Sequence, residues 1–186
     1  MEAYAAEHHF PIIGPAAGYH CYLTARLLGA RRVFELGSGY GYSTAWFARA
    51  VQENGGGEVF HTVWDGQLSE QARGHLTNLG YTSLIHYRVG EAVQVLRETE
   101  GPFDLIFNDI DKTGYPASIA VCAEKLRPGG VLIIDNMLYS GRVLDPDNQQ
   151  YQTPAIRETT RLLTESDQWI ASLVPIRDGI IVAQRQ

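Results

Sequence analysis

The sequence has no run of about 18 apolar residues, the length that a membrane-crossing helix needs. Its start, Met1-Glu2-Ala3-Tyr4, carries neither the basic region nor the apolar core of a secretory leader, so no export signal is expected. Basic clusters are equally scarce. Beyond Arg31-Arg32 there is no lysine or arginine run, and 15 basic residues against 21 acidic ones leave a net charge of −6. That balance repels a phosphate backbone, which argues against nucleic acid as a partner. Cysteine is limited to Cys21 and Cys122, both in helical-looking segments. They read as reduced core thiols, and a cytoplasmic setting is the expectation. Internal repeats and low-complexity tracts are also missing.

What is present is a chain of 186 residues, 45% apolar and 19% charged, the size of one α/β domain. A single domain over 1–186 is expected, with an N-terminal segment and helix over 1–30 and a core over 31–186. The pattern organises around Arg32-Val33-Phe34-Glu35-Leu36-Gly37-Ser38-Gly39-Tyr40-Gly41-Tyr42-Ser43, an apolar run that ends in an acid and breaks into alternating glycines. It reads as a buried strand turning into a helix over Thr44 to Val51, with bare backbone that a nucleotide-like ligand can approach. The dinucleotide fingerprint wants its third glycine where Tyr42 stands, so the loop is Glu-x-Gly-x-Gly-x-Gly instead. An ordinary strand-to-helix turn is the competing reading of this stretch alone.

The rest of the chain alternates strand and helix. A helix over Pro15 to Leu28 closes at Gly29. Strands are expected over Glu58 to Trp64, Leu84 to Val89, Phe103 to Asp109 and Val131 to Ile134, the last entered through a turn at Arg127-Pro128-Gly129-Gly130. Between them lie helices over Leu68 to Leu79, Glu91 to Arg97 and Tyr115 to Leu126. This order implies right-handed crossovers in a parallel sheet, with ligands beyond the carboxyl ends of the strands. Arg142 to Thr153 reads as a surface loop able to cover that edge. A helix over Pro154 to Ser166 and two strands, Trp169 to Val174 and Ile180 to Ala183, close the chain, and so short a turn between them makes that pair antiparallel.

The second constellation lies at two strand ends, Asn108-Asp109-Ile110-Asp111-Lys112 and Asp135-Asn136. If those strands are neighbours, Asp109, Asp135 and Asn136 converge, and two carboxylates with an amide oxygen suit Mg²⁺, with Mn²⁺ or Ca²⁺ as alternatives. The plain alternative is that such residues cap helices or form turns. A lysine beside a divalent cation has its ammonium form disfavoured, which suits Lys112 to act as a general base. His8, His9, His20, His61, His75 and His86 show no competing ligand spacing and read as surface or hydrogen-bonded residues, although His8-His9 lie near enough to the chain start to reach the site.

Phe107-Asn108-Asp109-Ile110-Asp111-Lys112, Asp135-Asn136-Met137-Leu138-Tyr139-Ser140-Gly141 and Pro175-Ile176-Arg177-Asp178-Gly179, together with the loop at Glu35 to Ser43, resemble the catechol and caffeoyl-CoA type of metal-dependent O-methyltransferases, from about Gly18 to Ala183. The resemblance implies a Rossmann-like S-adenosylmethionine (SAM) methyltransferase sandwich, α/β in class, with a seven-stranded, mostly parallel sheet and an antiparallel last strand. It implies that Asp109, Asp135 and Asn136 hold the metal, that Lys112 is the catalytic base, and that Glu35, Gly37, Ser38, Tyr40, Ser43 and Asp109 surround the methionine part of SAM. Ile13 would touch the cofactor through its backbone, and Glu91 and Ala92 would line the adenine. The substrate would be a small aromatic diol and the enzyme a homodimer. Methylation of a hydroxylated tRNA base, or SAM binding without catalysis, are the alternatives.

Two departures stand out. The family places an acid at the end of the second strand to receive the ribose hydroxyls, and here that place is Val63. Either a bulge re-aims the strand so that Asp65 serves instead, or the ribose is held differently; Trp64 is read either as a stacking partner for adenine or as a rim aromatic. By the same comparison the chain begins late, without a family-typical N-terminal helix, leaving the substrate pocket more open or the dimer contact altered.

Overall fold

The computed structural model describes residues 1–186. Seven strands form one sheet: β1 (Arg32–Leu36), β2 (Glu58–Val63), β3 (Ile85–Val89), β4 (Phe103–Asn108), β5 (Leu126–Ile134), β6 (Trp169–Val174) and β7 (Ile180–Arg185). Their order is β3-β2-β1-β4-β5-β7-β6. The first five run parallel, and β7 lies antiparallel between β5 and β6, as the short turn before it requires. Seven helices accompany them: α1 (Glu2–His8), α2 (Gly14–Leu27), α3 (Tyr42–Glu53), α4 (Gly66–Asn78), α5 (Ala92–Glu98), α6 (Tyr115–Lys125) and α7 (Thr153–Thr164). No helix is long and apolar enough to cross a membrane.

Side chains alternate across each strand, so the sheet separates two cores. Val33, Leu105, Phe107, Val131 and Ile133 pack toward α2, α3 and α4. Phe34, Leu36, Ile106, Leu132 and Ile134 pack toward α5, α6 and α7. The same alternation places three acids on the first face, because Glu35 follows Val33, Asp109 follows Phe107 and Asp135 follows Ile133 by two residues. Asn108 pairs with Ile134, so Asp109 and Asp135 leave neighbouring strands at the same level. Cys21 and Cys122 are free and fully buried, one in each core.

Three expectations need correction. The chain start is helical: α1 folds back over the glycine loop, where the Tyr40 hydroxyl donates to the Met1 carbonyl (3.0 Å) and the Tyr42 hydroxyl to Glu2 Oε1 (2.7 Å). The segment Arg127-Pro128-Gly129-Gly130 is not a turn ahead of a strand. It lies inside β5 as an irregularity, with Leu126 opposite Phe103 and Val131 opposite Leu105, and Gly129 takes the left-handed backbone that the bulge demands (φ 73°). The Arg142 to Thr153 loop is partly wound, since two short turns, broken by the left-handed Ser140 and Gly141, occupy Tyr139–Leu144.

Gly37 ties β1 to β4. Its φ is +87°, and a Cβ there would stand 2.6 Å from the Asp109 carbonyl oxygen. The backbone of the loop therefore rests directly against the strand end that carries the acid. Gly37→Ala is expected to cost at least about 1 kcal/mol from the left-handed backbone alone, read as a lower urea midpoint. An unchanged midpoint would mean that the loop can lift off β4 freely.

Candidate active site

The glycine loop and the acid-bearing strand ends open onto one pocket of about 510 Å³. One end is walled by Ser38, Gly39, Tyr40, Thr62, Val63, Trp64 and Ala92; the other holds Asp109, Lys112, Asp135, Asn136, Gln152 and Arg177. Phe10, Pro11, Ile12 and Ile13 close it from the chain start, with Phe10 packed edge-on against Tyr40 at 4.9 Å. The wall begins at Phe10; His8 is turned against Tyr4 instead, and neither it nor His9 lines the pocket.

At the acidic end each carboxylate meets a cation. Lys112 Nζ donates to Asp109 Oδ1 at 2.8 Å and to the Ile110 carbonyl at 3.2 Å. Arg177 Nη1 donates to Asp135 Oδ2 at 2.8 Å. Burial pushes both carboxyls up, Asp135 to about 6, with the charge of Asp109 adding to the burial and Arg177 opposing it. Asp135 Oδ1 has no partner at all. The Asp135 carbonyl accepts from the buried Tyr115 hydroxyl at 3.0 Å, which fixes the strand end from below.

Asn136 has a left-handed backbone (φ 60°), and its Nδ2 donates to Asp178 Oδ2 at 3.1 Å. That bond assigns the amide orientation and leaves the side-chain oxygen for another partner. Asp178 also accepts from the Ser140 amide, so the Pro175 to Gly179 turn braces the whole corner. No group of three His, Cys, Asp or Glu side chains is placed to hold a metal ion by itself. The donor set is two carboxylates and one amide, a fit for a hard cation that takes oxygen ligands, and the orphaned Asp135 Oδ1 is the vacant valence that such an ion would fill.

Glu35 lies beneath the glycine loop rather than in the pocket wall, and it is fully buried. Desolvation raises its carboxyl to about 7, against the pull of the Ser43, Thr44 and Ser38 hydroxyls around it, and neither oxygen makes a well-formed hydrogen bond. His61 is buried nearby with Nδ1 3.1 Å from Thr44 Oγ1, and burial lowers it to about 4, so it is neutral.

Ile13, Gly37, Ser38, Tyr40, Ser43, Ala92, Asp109, Lys112, Asp135 and Asn136 thus meet in one cavity. Asp65 and Glu91 do not. Asp65 is the N-cap of α4, its Oδ1 accepting from the Gln67 amide at 2.7 Å, and Glu91 caps α5 through the Val93 and Gln94 amides. Both acids sit one place before a helix, where open amides compete for a carboxylate. Sequence reasoning did not single out Arg177 and Gln152. The Asp178-Gly179 pair announces a turn, but nothing in it says that the preceding arginine points back to Asp135.

A parallel sheet ending in an antiparallel strand, with a glycine loop at one end of the pocket and an acid–lysine cluster at the other, defines a class I SAM methyltransferase. Residues 5–186 match the model of the O-methyltransferase family, and the chain belongs to that family. A catechol O-methyltransferase of Niastella koreensis is 32% identical over 180 residues, covering 92% of this chain and 80% of its own. The O-methyltransferase from Bacillus cereus, solved in complex with S-adenosylhomocysteine (SAH), is similar with a TM-score of 0.90 at 28% identity, over 99% of this chain and 88% of that one. The O-methyltransferase TomG from Streptomyces achromogenes, involved in tomaymycin synthesis and solved with SAM, gives 0.87 at 28% identity, over 98% and 86% of the two chains.

The buried Glu35 makes stability depend on pH. Its folded value of about 7 lies above the ordinary 4.5, so the folded state favours the proton; this contribution is complete below about 4.5 and is lost as pH rises through 7. His61, lowered to about 4, works the opposite way up to about 6.5, so the effect is read as a difference. From pH 5 to 8 the melting temperature of Glu35→Gln is expected to gain on that of wild type, with Glu35→Gln the more stable at pH 8 by no more than about 3 kcal/mol. Asp135 shifts in the same direction, so some slope remains. Parallel curves for the two proteins would show that Glu35 ionises normally.

Proposed function

We propose that this chain transfers the methyl group of SAM to a hydroxyl of a small catechol-like aromatic, with a divalent cation, Mg²⁺ in the first place, held by Asp109, Asp135 and Asn136. The observation that carries the reading is the level pairing of Asp109 with Asp135 beside Lys112, at the opposite end of one pocket from the glycine loop. The sequence of a catechol O-methyltransferase at 32% identity supports the choice of acceptor. When bound, the cation would make an adjacent diol more acidic and SAM would supply a methyl group on a cationic sulfur.

The chain's own residues do the rest. Lys112 acts as the neutral amine, after its ammonium has released a proton to solvent: Nζ takes the hydroxyl proton, the acceptor oxygen attacks the methyl carbon, the carbon–sulfur bond breaks and SAH departs. Asp109 and the Ile110 carbonyl aim that amine from two sides, at 2.8 and 3.2 Å. Phe10, Ile12 and Ile13 cover the pocket with apolar surface and keep water from competing with the acceptor. Holding donor and acceptor in line supplies much of the acceleration. The exposed side of α2 carries Tyr19, Leu23 and Leu27 at helical spacing, an apolar stripe that a second copy would cover, which supports a homodimer.

Lys112→Ala is expected to lower turnover on a catechol about 10²- to 10⁴-fold while SAH affinity stays within about twofold. Undiminished turnover would remove Lys112 from the chemistry. Excess chelator should stop the wild-type reaction, and Asp135→Ala should leave only a residual rate that chelator no longer touches. A residual rate still sensitive to chelator would refute Asp135 as a ligand.

A further inference from the structure

The end of β2 decides how the nucleoside is held. A carboxylate there ordinarily receives the ribose hydroxyls of a nucleotide cofactor, because one acid can accept two hydrogen bonds. In this chain the pocket wall at that place is Thr62-Val63-Trp64. The strand register runs unbroken from Val59↔Ile85 to Val63↔Val89, so no bulge within β2 re-aims its end, and Asp65 lies beyond the strand. Asp65 is also engaged elsewhere, with its side chain on the Gln67 amide at the start of α4. The other acid within reach in sequence, Glu91, is spent on two amides of α5. Neither acid lines the pocket, and no carboxylate does so at this end.

Trp64 directly follows Val63, the place where the acid is missing. It is 71% exposed although it lines the pocket, whereas Trp169 is buried. A large aromatic left uncovered at the rim of a cofactor cavity is the group type that stacks on a base. The same end of the pocket is also lined by small apolar side chains, with Ala92 2% exposed and Val63 7% exposed.

We infer that the cofactor's nucleoside is recognised through its base, by Trp64 packed over the adenine, and that the ribose hydroxyls go unread by any carboxylate. Trp64 and Val63 are then the residues that set cofactor specificity, and the site accepts SAM analogues altered at the ribose. This rests on the reading of the pocket as a SAM site.

The test is calorimetric binding of SAH and of its 2′-deoxy analogue to the full chain, with no acceptor present. Wild type should bind the two within about threefold of each other, and Trp64→Ala should lose at least about fivefold for both, the lower limit of base–aromatic stacking. A folded Val63→Asp chain should bind SAH more tightly and begin to reject the 2′-deoxy analogue. Loss of tenfold or more on removing the 2′-hydroxyl from the wild-type ligand would overturn the inference, as would undiminished binding by Trp64→Ala. Failure of wild type to bind SAH at all would instead overturn the SAM reading itself, and the inference with it.

Discussion

The structure depends on a charge problem created by strand pairing. Once β4 and β5 align with Asn108 beside Ile134, the next residue of each strand is an aspartate on the same face of the sheet. Two carboxylates at one level in a low-dielectric corner repel each other, and burial raises both. The surrounding chain answers from two directions. Lys112 reaches Asp109 from the turn that follows β4, and Arg177 reaches Asp135 from the turn between β6 and β7. The cluster is thus balanced by groups supplied from two separate connections, so its geometry depends on the sheet and both turns being in place.

The turns carry unusual backbone for that reason. Asn136, Tyr139, Ser140 and Arg177 all have positive φ without being glycine. Asparagine tolerates that region well; arginine does not, and it is retained at φ 53° because its guanidinium has a buried partner. A salt bridge between Arg177 and a fully buried aspartate offsets part of that strain. Gly37 contributes the complementary device on the other side, an absent side chain that lets the cofactor loop sit directly on the Asp109 carbonyl. The two ends of the pocket are therefore mechanically joined through the tip of β4.

The alternation of strand and helix was legible because each strand is either a continuous apolar run or ends at a glycine or a polar cluster. The acid–lysine cluster was legible for a related reason. Polar residues that interrupt an apolar strand at its carboxyl end have few other places to go in a parallel sheet. What escaped was long-range or competitive. Arg127 to Gly130 looks like a turn because proline and glycine mark turns, yet an irregular strand accommodates the same residues. Residues 1–14 gave too short a pattern for a helix, and α1, at seven residues too short to stand on propensity alone, is held by tertiary bonds from Tyr40 and Tyr42. Asp65 is the acid nearest the ribose place and Glu91 is implied through the family resemblance, whereas the first free amides of α4 and α5 engage both side chains.

That last competition explains the asymmetry of the pocket. A carboxylate just before a helix has a local partner at almost no entropic cost, so it stays with the helix unless the strand end is re-aimed toward a ligand. At β4 and β5 the acids belong to the strands' inward face and have no helix amide to cap, so they remain available for chemistry. At β2 the inward position is Val63, and the acid falls two residues too late. A shift of two residues preserves the side of the strand in the abstract, but here the strand has already ended and the helix has begun. The pocket consequently concentrates its charge at the end formed by β4 and β5 and presents an exposed aromatic at the end formed by β2.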